Sequence, residues 1–340
     1  MPAWVGLLAQ PERIPHALLI SGPEGGGKRL FARALAKRLL CETASGATIA
    51  CGKCPSCRWF EAGSHPDFRL LEPDGGDGDS PEDGEEPTAG ARKRSLNIRI
   101  DQVRELDDFL NILSHRGKGR MIMIAPSEAM NAATANALLK ALEEPNPSTL
   151  FLLVTNSELR LLPTIRSRCR TVALPKPSAT LALAWLADNG VGDAAELLAH
   201  AGGMPLLAAQ EQGEGDRLRQ FLDGISRIGQ ARILTLAAEY ESWMKESKAG
   251  GGAMDKRTLV IWLQKWVFDL ISHKLCGRIH YHPAQAPALG RVAAGASAQA
   301  LFDCYNELLR IRAVAQHPLN PRLFLEDMLS RYARAVAGSK

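Results

Sequence analysis

Buried runs and amphipathic stretches alternate through the first half of the chain. His16–Ile20 is an unbroken apolar strand entered through one polar residue, and Arg120–Ala125 and Leu150–Thr155 repeat the pattern. Thr171–Leu174 is a shorter candidate strand. Apolar runs of this length, with no polar alternation, suit strands covered on both faces. Between them lie helical patterns. Phe31, Leu35 and Leu39 recur every four residues in Leu30–Leu40, and Val103, Leu106, Leu110 and Leu113 mark a helix over Ile98–Leu113. Asn131–Glu144 is a third helix, stopped by Pro145 because the residue before a proline is pushed out of helical geometry. Strands alternating with helices predict an α/β domain. After Pro175-Lys-Pro177 the chain turns helical: an alanine- and leucine-rich segment to Gly213, then helices from Asp216 to Ala337, interrupted at Lys248–Ala253 and His280–Pro287. Trp262, Trp266 and Leu270 recur every four residues, the amphipathic pattern of a helical-domain core before that of an aromatic contact surface. His273, His280 and His282 form no ligand set and read as surface polar groups.

The 340 residues allow two or three domains. A net charge of +4 permits contact with nucleic acid without arguing for it. The N-terminal residues lack a basic leader followed by an apolar run, and no apolar stretch reaches 18 residues. The expectation is a cytoplasmic protein with no membrane partner. Glu72–Glu86 carries eight acids and no base, which predicts a solvated, disordered insertion extending to Arg94. Ala91-Arg-Lys-Arg94 closes it, as a charge-balanced loop end or as a contact for DNA or an acidic partner.

Two stretches bear candidate chemistry. Gly22-x4-Gly27-Lys28 between a strand and a helix has the spacing of a phosphate-binding loop, in which backbone N–H groups converge on phosphate at a helix N-terminus. The next residue should offer a hydroxyl to magnesium, but Arg29 stands there. The acids that hold magnesium and polarise water at the end of a neighbouring strand are also missing: Arg120–Ile124 runs into Ala125-Pro126, and the nearest acid is Glu128. Gly22, Gly27 and Lys28 therefore form a degenerate loop, with weak nucleotide binding or none. Downstream, Cys41, Cys51, Cys54 and Cys57 form a C-x9-C-x2-C-x2-C array. Four thiolates complete a closed tetrahedral zinc site. Iron–sulfur ligation uses similar two-residue gaps, and reduced thiols without metal remain the plainest alternative.

Asn136-Ala-Leu-Leu-Lys-Ala-Leu-Glu-Glu-Pro145, Ser167-Arg-Cys169 and a four-cysteine insert after the phosphate-loop helix, in that order, resemble the bacterial DNA polymerase III clamp-loader family of AAA+ proteins. The motifs cover about the first 205 residues. The resemblance implies an AAA+ P-loop domain at 1–174 with a zinc module at 41–57 and the acidic insertion at 72–94, a helical lid at 175–213, and a helical collar for oligomerisation at 214–340. It implies work inside a hetero-oligomer with delta and gamma/tau subunits, which places a sliding clamp on primed DNA. It also implies that Arg168, in Ser167-Arg-Cys169, reaches into a neighbour's ATP site as an arginine finger, while Cys169 is a small packing residue. The family's lid arginine is replaced by Pro205. With Arg29 and Ala125-Pro126, this implies a subunit that does not hydrolyse ATP. The alternative is an active ATPase motor that uses Lys28.

Overall fold

The computed structural model describes residues 7, 13–43, 48–73, 97–111, 114–249 and 254–337. The acidic insertion from residue 74 to the basic run at 91–94, and the glycines at 250–252, lie outside the described residues. The chain divides into two compact units, Met1–Lys176 and Pro177–Lys340.

The first unit is built on five parallel strands: β1 (Ala17–Ser21), β2 (Phe68–Leu71), β3 (Arg120–Ile124), β4 (Thr149–Thr155) and β5 (Arg170–Ala173), in the order β2-β3-β4-β1-β5. Every residue of β1, β3 and β4 is buried, because helices cover both faces. Alternate side chains go to opposite sides, as the period of two demands. Leu19, Ile122, Ile124, Phe151 and Leu153 pack with helices α3 (Ile100–Asn111) and α4 (Ala132–Glu143). Leu18, Ile20, Met121, Met123, Leu152 and Val154 pack with α1 (Lys28–Leu40) and with Phe60 of α2 (Pro55–Glu61). Asn131 caps α4 by accepting the Thr134 N–H at 2.8 Å, and Pro145 follows its end. The short α5 (Pro163–Arg166) starts on a proline, where no intrahelical N–H is needed.

The second unit is all helical among its described residues. Helices α6 (Ala179–Asp188), α7 (Ala194–His200) and α8 (Pro205–Gln210) enclose a small cluster around Leu186, Leu197, Leu198 and Ala208. A larger cluster lies among α9 (Gly215–Ser226), α10 (Ile233–Ala249), α11 (Lys256–Cys276), α12 (Ala286–Gly295), α13 (Ala298–Val314) and α14 (Pro321–Val336). Trp262 and Trp266 belong to this larger core, so the aromatic spacing on α11 serves packing. Trp266 donates its indole N–H to Tyr332 Oη at 2.7 Å.

One expectation fails here. His282 is buried, because Asp269, fully enclosed on α11, draws the loop inward by accepting the backbone N–H groups of His280, Tyr281 and His282. The loop's own N–H groups need acceptors, and a buried carboxylate supplies them. No described helix is long and apolar enough to cross a membrane.

Candidate functional site

The phosphate loop leaves β1 at Ser21, whose carbonyl accepts the Leu174 N–H at 2.8 Å. At Gly22 the backbone turns at φ 152°, and a Cβ there would lie 2.6 Å from the Leu174 carbonyl oxygen. Only glycine fits. Gly27, left-handed at φ 89°, is the N-cap of α1 and offers no side chain to cap its first N–H groups.

Lys28, however, turns back on its own loop. Its ammonium donates to the Pro23 carbonyl at 2.6 Å, and the residue is only 4% exposed. Burial pulls its pKa down from the usual lysine value, against the charges of Glu128 and Glu24. The next side chain, Arg29, is paired with Glu72 just beyond β2. Gln102 holds the Glu72 carbonyl at 3.1 Å. At the end of β3, Ala125 is enclosed and donates its N–H to Leu71. Glu128 accepts the Asn156 N–H at 3.0 Å through Oε1, leaving its buried Oε2 without a hydrogen-bond partner among the described residues. Gly22, Gly27 and Lys28 thus form one loop, with a guanidinium where a magnesium-binding hydroxyl would stand.

Arg168 lies just beyond α5, with its side chain about one third exposed. One terminal nitrogen donates to the Thr164 carbonyl at 2.9 Å and the Ser167 hydroxyl at 3.3 Å. The other lies 2.5 Å from Glu143 Oε1, at the last residue of α4. Cys169 packs against the α3–α4 face of the core, and burial pushes its thiol up to about 11.

The four cysteines converge. The Sγ atoms of Cys41, Cys51, Cys54 and Cys57 all lie within 4.8 Å of one another, with Cys41–Cys54 at 4.0 Å and Cys51–Cys57 at 3.9 Å. Zinc–thiolate bonds of about 2.3 Å in a tetrahedron require sulfur separations of about 3.8 Å. The cluster therefore fits a metal ion with four sulfur ligands. Backbone N–H groups point at the sulfurs: Cys51 at Cys41, Lys53 and Cys54 at Cys51, and Cys57 at Cys54, at 3.3 to 3.4 Å. Such donors favour thiolates. Cys51 is lowered to about 5 by its hydrogen bond with Thr43 and by the N–H groups of Lys53 and Cys54. Burial pushes Cys57 up to about 12, so loading the cluster must displace that proton.

A buried relay that sequence reasoning missed ties this module to the sheet. Asp67 donates its N–H to His65 Nδ1 at 3.0 Å, which fixes the proton on Nε2. Nε2 then donates to the Ser56 hydroxyl at 2.6 Å, and Ser56 donates to the Leu40 carbonyl at 2.8 Å. The Asp67 carboxylate in turn accepts the His115 and Arg116 N–H groups. A single histidine within C-x2-C-x2-C-x7-H has no sequence signal separating a relay from a surface ring.

The second unit holds a similar chain. His282 Nδ1 meets Asp269 at 2.9 Å, His282 Nε2 meets His200 Nδ1 at 3.0 Å, and His200 Nε2 lies 3.8 Å from Glu211. Glu211 is 3.7 Å from Lys265. Burial lowers the pKa of His65 and His282, and holds His200 well below the ordinary imidazole value of 6.5. The folded form therefore binds fewer protons than the unfolded one just below pH 6.5, so stability is lost as pH falls through that value toward the folded pKa values. Glu211, raised by burial, works in the opposite direction, but it is one group against three. Urea melts at a series of pH values should show a midpoint that falls steadily below pH 6.5; a flat midpoint down to about pH 5 would contradict buried neutral imidazoles.

Comparison with known proteins places the chain. A family described as "DNA polymerase III, delta subunit" matches residues 7–178. DNA polymerase III subunit delta′ of Pseudomonas aeruginosa is 37% identical over 266 residues, 76% of this chain and 73% of that protein. Its counterpart from Haemophilus influenzae is 30% identical over 94% of this chain and 91% of its own length. A crystal structure of a DNA polymerase III gamma subunit-related protein from Thermotoga maritima aligns with 98% of this chain and 99% of its own, at 18% identity and a TM-score of 0.49. By the matched domain and the delta′ relatives together, this chain belongs to the DNA polymerase III subunit delta′ family.

Proposed function

We propose that this chain is a non-hydrolysing arm of the clamp loader within the DNA polymerase III holoenzyme, and that it lends Arg168 to the ATP site of an adjacent subunit. The observation that carries the reading is the state of its own phosphate loop. Lys28 is bonded to Pro23, Arg29 is engaged with Glu72, and Ala125-Pro126 supplies no acid. No side chain at these three positions can hold magnesium against a bound nucleotide. A partly exposed guanidinium at Arg168, by contrast, is permanently charged and meets phosphate with a planar fork.

The same reading assigns residues 175–213 as a lid and 214–340 as an oligomerisation collar, and the separate apolar clusters in these two stretches support it. Its partners are delta and gamma/tau subunits, and through them the sliding clamp and primed DNA, in the cytoplasm at the replisome. Purified alone with magnesium and ATP, the chain should show no turnover; a steady rate near one per second, ordinary for an enzyme, would return Lys28 to a catalytic role.

Zinc is the ion proposed for Cys41, Cys51, Cys54 and Cys57, where it would lock the connection between α1 and α2. Elemental analysis of metal-replete protein should find about one zinc per chain. Cys54→Ser should lower that content severalfold, since it removes a ligand and also the sulfur that accepts the Cys57 N–H. A folded wild-type chain carrying no metal, or a coloured one carrying iron, would refute the assignment.

A further inference from the structure

We infer that Glu143 is the positioning residue for Arg168: it holds the guanidinium on the subunit's own surface until a terminal phosphate in the neighbour draws it across. The inference rests on the reading of Arg168 as a donor in trans. Within this chain the guanidinium makes two hydrogen bonds through one terminal nitrogen and one ion pair through the other, at 2.5 Å to Glu143 Oε1. Two of its five N–H donors make hydrogen bonds, and the other terminal nitrogen is held by the Glu143 charge.

The position of Glu143 points the same way. It is the last residue of α4, where the helix already presents partial negative charge and a carboxylate is disfavoured. Arg168 is the cation that meets it, across 25 residues of sequence. Both side chains are partly exposed, 33% for Arg168 and 47% for Glu143, so the pair is weak and reversible. A single carboxylate then competes with a polyphosphate whose terminal group can take the fork on two oxygens. Held arginine is unavailable arginine. The apparent affinity for any state that uses Arg168 is reduced by the fraction of time it spends on Glu143, whereas a state that does not use it is unaffected.

This gives the contact a nucleotide dependence that a merely structural ion pair lacks. The test measures binding of the full chain to a purified ATPase subunit of the loader, once with ADP and once with an ATP analogue whose terminal phosphate cannot be transferred. Glu143→Gln should tighten binding with the analogue about fivefold, the weight of an ion pair of this exposure, and should change binding with ADP by less than about twofold. In an Arg168→Ala background the same substitution should change neither. Equal effects in both nucleotide states, or an effect that survives Arg168→Ala, would overturn the role of Glu143. If Arg168→Ala alone leaves both analogue binding and ATP turnover of the assembled complex unchanged, the trans reading itself fails, and the two failures are told apart by that single variant.

Discussion

Replacing Arg168 with alanine should slow ATP hydrolysis at the neighbouring site of the assembled loader by about 10³-fold, the lower end of what a trans arginine contributes. The isolated chain would be silent in either form, so the loss must be read in the complex. The size follows from where the proposed finger would act: a guanidinium desolvated against a transferring phosphoryl group stabilises charge that appears only in the transition state. Arg168→Lys should recover little, because an ammonium lacks the planar fork. Folding should be nearly indifferent. The groups that Arg168 leaves behind are the Thr164 carbonyl, the Ser167 hydroxyl and a 47% exposed Glu143, all within reach of water, so the chain should lose no more than about 1 kcal/mol. A complex that assembles with Arg168→Ala and hydrolyses ATP at the wild-type rate would remove the arginine finger from this chain.

The parts of the fold legible in the sequence are those in which one local signal decides. β1, β3 and β4 are enclosed on both faces and had to be continuous apolar runs; α4 begins at a capping asparagine and is closed by Pro145. β2 escaped notice. It is a four-residue edge strand with a single neighbour, and only Leu71 is fully buried, so Phe68-Arg-Leu-Leu71 shows no run. Helix α2 was hidden inside the cysteine array, where Cys54 serves both as N-cap, accepting the Cys57 N–H, and as a metal-site candidate. At the site, spacing brought the four cysteines together and located Lys28, while the family resemblance singled out Arg168. It could not reveal that Lys28 folds onto Pro23 or that Arg168 rests on Glu143, since each contact is fixed by side-chain rotamers and tertiary placement. The same holds for the buried histidines. An imidazole is equally at home on a surface and in a relay, and only the acceptors around it decide.

Asp269→Ala should destabilise the second unit by about 3–5 kcal/mol, because it strips the acceptor from a ring of neutral N–H donors. Asp269 is fully enclosed, and its carboxylate accepts the N–H groups of His280 at 2.8 Å, Tyr281 at 3.0 Å and His282 at 2.8 Å, together with His282 Nδ1 at 2.9 Å. Alanine leaves those donors facing a void, and each unsatisfied buried donor costs about 1–3 kcal/mol. Partial collapse of the loop onto water limits the sum. His282 would also lose the acceptor that orients it toward His200, so the hydrogen bond between the two rings would go with it. The same helix supplies a scale for comparison. Asp255 caps its first turn by accepting the Thr258 N–H at 2.8 Å from an exposed position, and Asp255→Ala should cost about 1 kcal/mol. Urea unfolding followed by tryptophan fluorescence is suited to both variants, since Trp262 and Trp266 sit edge-on to His200 and His282 respectively and are themselves buried. Asn at 269 should restore only part of the loss, because its carbonyl oxygen still accepts on one side while its amide turns two donors toward the donors on the other. If Asp269→Ala proves no worse than Asp255→Ala, the carboxylate is not what holds the 280–282 loop, and the burial of His282 must come from its contacts with His200 and Trp266.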